Sequence, residues 1–256
     1  MTDRPTNDAP RGDRAEDRNA RLFVGARISI ATANALAACA ETLARRARDA
    51  GIDVRWVSPA SYHVTLKFLG WTRSSTIGAI RDGLTVAVAD AAQAVASRGS
   101  RLSFRTARLG GFPSLERASV VWAGIEDGGL LTELATRIDT AMVSVGFAVE
   151  RRPFHPHVTL GRLREIRGLK EVVLPVSEQM FGESRLDAVI LYESETKSSG
   201  SQYKEIHRID FKTASDRPSE GAERQTTALH LDPQNRSTQS AAEVDDTDDG
   251  WPRGHH

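Results

Sequence analysis

The chain has 256 residues, 39% of them hydrophobic and 27% charged, with 34 Lys and Arg against 34 Asp and Glu. That is long enough for one large domain or two small ones with a real core, and the composition is ordinary for a soluble globular protein. Residues 1–20 and 213–256 both carry more acids than arginines, which leaves 21–212 with six surplus basic residues; this suits a phosphate-bearing partner but falls short of the excess of a protein that coats nucleic acid.

The only cysteine, Cys39, has no internal partner, which favours a reducing compartment. The first twenty residues contain no apolar run of secretory type, and no stretch approaches the roughly 20 apolar residues that span a bilayer. The expectation is a cytoplasmic protein with no membrane association. Both ends, 1–20 and 213–256, are poor in large apolar side chains and are expected to be disordered, with the folded domain at 21–212.

In chain order, Leu22–Ile28 reads as a strand, with Gly25 a bulge or close-approach point. A helix over 33–50 places Leu36, Cys39, Leu43 and Ala47 on one face and stops at Gly51. Strands follow at Val54–Val57 and Val64–Leu69, then a helix over 75–97 and a strand at Leu102–Leu109, ended by GGFPS at 110–114. The order then restarts: a strand at Ser119–Ile125, a helix over 130–145 stopped by Gly146, and a strand from His157–Leu160. Later strands are expected at Leu186–Tyr192 and Tyr203–Phe211. This pattern predicts an α+β fold of two similar lobes, each with helices packed on one face of a sheet.

The restart carries a repeated tetrapeptide. His63–Leu66 and His157–Leu160 both read H-V-T-L, at matching places in the two halves. Side chains alternate along a strand, so each copy presents an imidazole and a hydroxyl one way, about 7 Å apart, while Val and Leu anchor the other face. If the lobes face each other, two imidazoles and two hydroxyls converge. That set suits a phosphodiester. One neutral histidine takes a proton from water, the other protonates the departing alkoxide, and the hydroxyls of Thr65 and Thr159 hold the phosphate oxygens. No metal is required.

A rival reading pairs His155 with His157 as zinc ligands, but no Asp, Glu or Cys lies close in sequence to either motif. No phosphate-cradling glycine loop and no nucleophile elbow is present. Cys39 reads as core, His207 as a surface or edge residue, and Trp71 and Trp122 as core or cleft-wall aromatics.

These residues resemble the two-histidine (2H) phosphoesterase superfamily, and within it the RNA 2′,3′-cyclic phosphodiesterase branch, also described as LigT-like 2′-5′ RNA ligases. The likeness rests on RWVSPASYHVTLKFLG and RRPFHPHVTLGRL, and extends to RLFVGARI, GGFPS, VVWAGI and LYESETKSSGSQYKEI. It implies two lobes related by a pseudo-twofold axis, each an antiparallel-rich sheet with helices on its outer face, around a central groove. It implies His63 as proton donor to the leaving 3′ oxygen, His157 as proton acceptor, and Thr65 and Thr159 on the phosphate, with the histidine roles exchanged in the ligating direction. Arg162 follows the second motif where the family often has a basic residue; strict alternation would turn it away from the groove, so a phosphate role needs a bulge or a strand end. Trp71 stands where the branch often has an acid.

Phe68, Phe112 and Tyr203 are candidates to stack a terminal base, although Phe68 reads more simply as core. The resemblance implies an enzyme without cofactor or metal, acting on RNA with a 2′,3′-cyclic phosphate end, and the default oligomeric state is a monomer. Two alternatives stand beside it. One is an RNA-end binding module with negligible turnover. The other is a 2H enzyme acting on another cyclic or 2′-5′ linked nucleotide, reversible 2′-5′ ligation included.

Overall fold

Nine strands and four helices build the computed structural model, which describes residues 18–99, 102–197 and 200–212. The segments expected to be disordered lie outside these residues, apart from Arg18, Asn19 and Ala20. Those three are ordered: β1 runs Asn19–Arg27, and Arg18 holds Glu193 at 2.5 Å.

The chain continues through α1 (Ile30–Asp49), β2 (Val54–Trp56), β3 (His63–Arg73), α2 (Ile77–Arg98), β4 (Ser103–Phe112) and β5 (Ala118–Glu126). It closes with α3 (Leu130–Val145), β6 (His157–Arg167), α4 (Lys170–Val173), β7 (Met180–Arg185), β8 (Ala188–Lys197) and β9 (Gly200–Asp210). The helix boundaries follow local chemistry. The Ser29 side chain accepts from the Thr32 amide at 3.1 Å to cap α1, and Gly51, Gly99 and Gly146 adopt positive φ at or just beyond the ends of α1, α2 and α3. Leu36, Cys39, Leu43 and Ala47 form the buried face of α1, as their spacing predicts. Two elements have no clear sequence signal. The β7 strand buries only Phe181 and Ser184, and α4 has four residues, too few for periodicity to show.

All nine strands join one sheet, in the order β7-β4-β5-β6-β3-β1-β8-β9, with β2 against β6. Two lobes, each with an antiparallel-rich sheet, were expected, and the two sheets run into one through a single pair, Val64 opposite Val158, between β3 and β6. From that pair outward the order is symmetric: β1, β8 and β9 flank β3 as β5, β4 and β7 flank β6. The lobes are therefore not the first and second halves of the chain. The β8 and β9 strands return to the lobe of β1 and β3, and the helices cross over. Helix α1 leaves β1 to pack against β2, β7 and α4, while α3 leaves β5 to pack against β3 and α2.

Bulges set which side chains face the groove. Along β1, residues alternate strictly, and Arg21, Phe23, Gly25 and Arg27 pair with Trp71, Phe68, Thr65 and His63. The β3 strand absorbs two extra residues in this stretch, at Leu66 and Leu69, because the register shifts at Val24/Gly25 and at Leu22/Phe23. Paired residues share a face, so His63, Thr65, Phe68 and Trp71 all stand on the groove side. Strict alternation would have put Phe68 in the core. It is instead 61% exposed, and Trp71, expected as a core or cleft-wall aromatic, is 75% exposed.

Candidate active site

The β3–β6 pair positions the two motifs. With Val64 opposite Val158, the antiparallel register sets His63 across from Thr159 and Thr65 across from His157. The histidines are then diagonal neighbours, about 7–8 Å apart at the backbone. Val64, Leu66, Val158 and Leu160 are buried behind them.

Each imidazole is tied the same way. His63 Nδ1 lies 2.7 Å from the Ser61 carbonyl oxygen, and His157 Nδ1 lies 2.7 Å from that of His155. A carbonyl only accepts, so each Nδ1 carries the proton and each neutral ring turns its Nε2 lone pair to the gap. The Thr65 hydroxyl stands 3.0 Å from His63 Nε2 and donates to it when that ring is neutral. Burial is the main cause that lowers both histidines, His63 to about 4; the Arg162 charge adds to the depression at each. Both rings are accordingly neutral in the empty site at neutral pH.

The bulge that Arg162 requires is present. Thr159 pairs with Trp122 and Gly161 with Val121, so Leu160 is an extra residue in β6. Arg162 then pairs with Val120 and comes onto the face of His157 and Thr159. Phe68 and Arg162 thus hold equivalent places in the two lobes, each three residues beyond its motif threonine.

Aromatic clusters back the two histidines. On the first side, Phe23 lies 4.8 Å and Tyr203 5.0 Å from the His63 ring centroid, with Tyr192 behind them. On the second, Phe112 lies 5.0 Å from His157, with Trp122 and His155 alongside. Two glycines make the room. A Cβ on Gly25 would stand 2.9 Å from the Val64 carbonyl and 3.4 Å from the His63 ring, and one on Gly110 would stand 2.3 Å from the Trp122 ring. A cavity of about 420 Å³ opens beside His63, lined by Arg27, Asn34, Tyr62, Tyr192, Tyr203 and Glu205 among others.

His63, His157, Thr65, Thr159, Arg162 and Tyr203 therefore meet at one groove, and Phe112 stands at its wall. Gly25 is the close-approach point its place in the strand suggested, and sequence reasoning missed Phe23 and Arg27 at the cavity, where Arg27 holds Glu205 at 2.7 Å. A hint was available for Arg27, which lies two positions beyond Gly25 on the same strand. The zinc reading does not gain a third donor: the His155 and His157 rings are 6.5 Å apart, and no cluster of three His, Cys, Asp or Glu side chains suited to a metal occurs among the described residues. Cys39 is buried in the core, and His207 lies on the edge strand β9. No helix among the described residues is long and apolar enough to cross a membrane.

Comparison with known proteins agrees with this geometry. The chain is 28% identical over 163 residues to an RNA 2′,3′-cyclic phosphodiesterase of Aeropyrum pernix, covering 62% of this chain and 87% of that protein. It is 27% identical over 187 residues to the protein of the same name from Aquifex aeolicus, covering 72% and 93%. Among solved structures, a Thermus thermophilus protein shares the fold at a TM-score of 0.57 and 22% identity, over 76% of this chain and 99% of that one. Apo E. coli LigT shares it at 0.53 and 20%, over 75% and 97%. The model of the 2′-5′ RNA ligase superfamily matches residues 33–197, a span that holds both H-V-T-L strands and most of the chain, and the chain belongs to that superfamily of two-histidine phosphoesterases.

Proposed function

We propose that the protein is an RNA 2′,3′-cyclic phosphodiesterase that opens the cyclic end to a 2′-phosphomonoester without a metal ion. The observation that carries this reading is the pair of Nε2 atoms turned onto one gap, each ring fixed by its Nδ1 contact to a backbone carbonyl. The names of the curated relatives support the substrate class. In the hydrolytic direction, His157 Nε2 takes a proton from water as the water oxygen attacks phosphorus. The bond from phosphorus to the 3′ oxygen breaks, and His63 delivers a proton to that oxygen. The Thr65 and Thr159 hydroxyls and the Arg162 guanidinium hold the non-bridging oxygens, whose charge they offset in the transition state. The terminal base stacks on Phe68, on the opposite side of the gap from Arg162, and Tyr203 packs against the edge of His63. The protein acts as a cytoplasmic monomer.

The donor and acceptor roles follow the family resemblance. Proton affinities in the empty site run the other way, since His63 is pushed down to about 4. The bound phosphate anion supplies the charge that favours protonation of the donor.

The test is hydrolysis of a 2′,3′-cyclic-ended oligonucleotide in EDTA, with the position of the remaining phosphate identified. His63→Ala and His157→Ala each lower turnover by at least about 10²-fold. An aryl phosphodiester with a p-nitrophenolate leaving group needs no donor, so it restores turnover to His63→Ala and not to His157→Ala. Rescue of His157→Ala instead would exchange the roles, and binding without any wild-type turnover would leave an RNA-end binding module.

A further inference from the structure

The groove continues past the phosphate gap along β3, and its surface there is unlike a solvated strand face. Phe68 and Trp71 are the two large exposed aromatics on the strand that carries His63. Both lie on the His63 face, because β1 alternates strictly and pairs Phe23 with Phe68 and Arg21 with Trp71. Arg162 and Arg55, paired between β6 and β2, share that face but lie on the other side of the phosphate gap, because β3 and β6 run antiparallel from Val64 and Val158. Arg21, Arg55 and Arg162 are all exposed. Among the described residues, no ion pair engages any of the three, whereas Arg18, Arg27 and Arg164 each hold an acid.

We propose that this strip is a track for the single-stranded RNA that precedes the reacting end, with Trp71 stacking a second base and Arg21, paired beside Trp71, holding the backbone. The proposal rests on the RNA-end reading above and extends it from the terminal nucleotide to the chain behind it. Spacing supports it. Two residues of β1 separate the row of Thr65 from that of Phe68, and two more separate Phe68 from Trp71, each a step of about 7 Å. A nucleotide whose phosphate sits in the gap reaches Phe68, and only a longer chain reaches Trp71. Aromatic faces tolerate any base, and the unpaired Arg21 beside Trp71 provides charge of the kind that single-stranded nucleic acid requires. A protein partner or a second copy of this chain would cover the same aromatics, but neither accounts for the continuity with the phosphate site or for the unpaired Arg21.

The experiment compares kcat/KM for a 2′,3′-cyclic mononucleotide with that for a trinucleotide bearing the same end. The wild type prefers the trinucleotide, and Trp71→Ala lowers the trinucleotide-to-mononucleotide ratio by about 5- to 100-fold. Trp71→Tyr retains most of the preference. Arg21→Ala weakens trinucleotide binding and flattens its salt dependence. Val86→Ala, an exposed apolar residue on α2, leaves the ratio unchanged. An unaltered ratio in Trp71→Ala, or a wild type without length preference, overturns the track. So does sedimentation showing a dimer that Trp71→Ala dissolves.

Failure of the RNA-end reading is separable. If the wild type turns over no cyclic-ended substrate, binding of a plain single-stranded oligonucleotide carrying a terminal fluorophore is measured by fluorescence anisotropy. A loss of that binding in Trp71→Ala then supports the track on its own, and unchanged binding overturns it.

Discussion

His63 and His157 share a tether and differ in surroundings. Each Nδ1 is held by the carbonyl two residues back, but Thr65 reaches the His63 ring while His155 stands beside His157. Burial lowers both, and catalysis needs one ring neutral and one charged, so kcat/KM peaks below pH 6.5. Arg162→Gln removes a positive charge that depresses both histidines and shifts the pH–rate profile toward higher pH, alongside its loss of phosphate affinity. The same burial couples His63 to stability. Its folded value of about 4 lies below the unfolded 6.5, so the unfolded chain binds more protons between these values and stability rises with pH across that window. The contribution, about 1–3 kcal/mol, is fully present above pH 6.5 and lost as pH falls through about 4. Thermal unfolding of His63→Gln from pH 4 to 6.5 shows a flatter dependence than that of the wild type.

At the scale of elements, the site depends on strands that do not keep a regular period. Gly25 lies under His63 so closely that an added methyl meets the Val64 carbonyl, which belongs to the strand pair itself and has no rotamer to change. Gly25→Ala is expected to cost about 1–3 kcal/mol in denaturant titration and to lower kcat, because its relief shifts β1 against β3. Lys67 illustrates the same irregularity from the other face. The bulge beside it turns it away from the groove into the buried side, where it pairs with Asp139 of α3 and donates to the Ala148 carbonyl at 3.1 Å. Lys67→Ala leaves the Ala148 carbonyl without this donor and Asp139 with the Glu150 amide but no counter-charge, and destabilises by about 3 kcal/mol. Its circular dichroism and chemical denaturation measure the loss. A strand pattern read at period two could not reveal these turns, since the extra residues at Leu66, Leu69 and Leu160 appear only against the partner strand.

Across the whole molecule, the exchange of elements makes the two lobes interdependent. Residues 18–99 hold β1, β3 and α2 of one lobe, yet lack β8, β9 and α3, which complete its sheet and cover it. Expressed alone, that fragment is expected to show no cooperative thermal transition, whereas residues 18–212 unfold in a single one. Coincident transitions by near- and far-ultraviolet circular dichroism check the second statement. The α+β class, most helices and most strands were legible because helix spacing, terminal glycines and alternating runs are local signals. The assignment of strands to lobes was not, because it follows from contacts between segments more than a hundred residues apart, such as β1 with β8.

The amino-acid order by itself determined the candidate reacting groups of the proposed function: two histidines and two threonines, each pair on a short apolar-backed strand, with a repeat that marks them as a set. Periodicity within four residues is enough for that. Only the tertiary structure decided which neighbours join them. Arg162 and Phe68 reach the groove because β3 and β6 each carry residues their partner strands do not match, and a bulge is a property of two strands together.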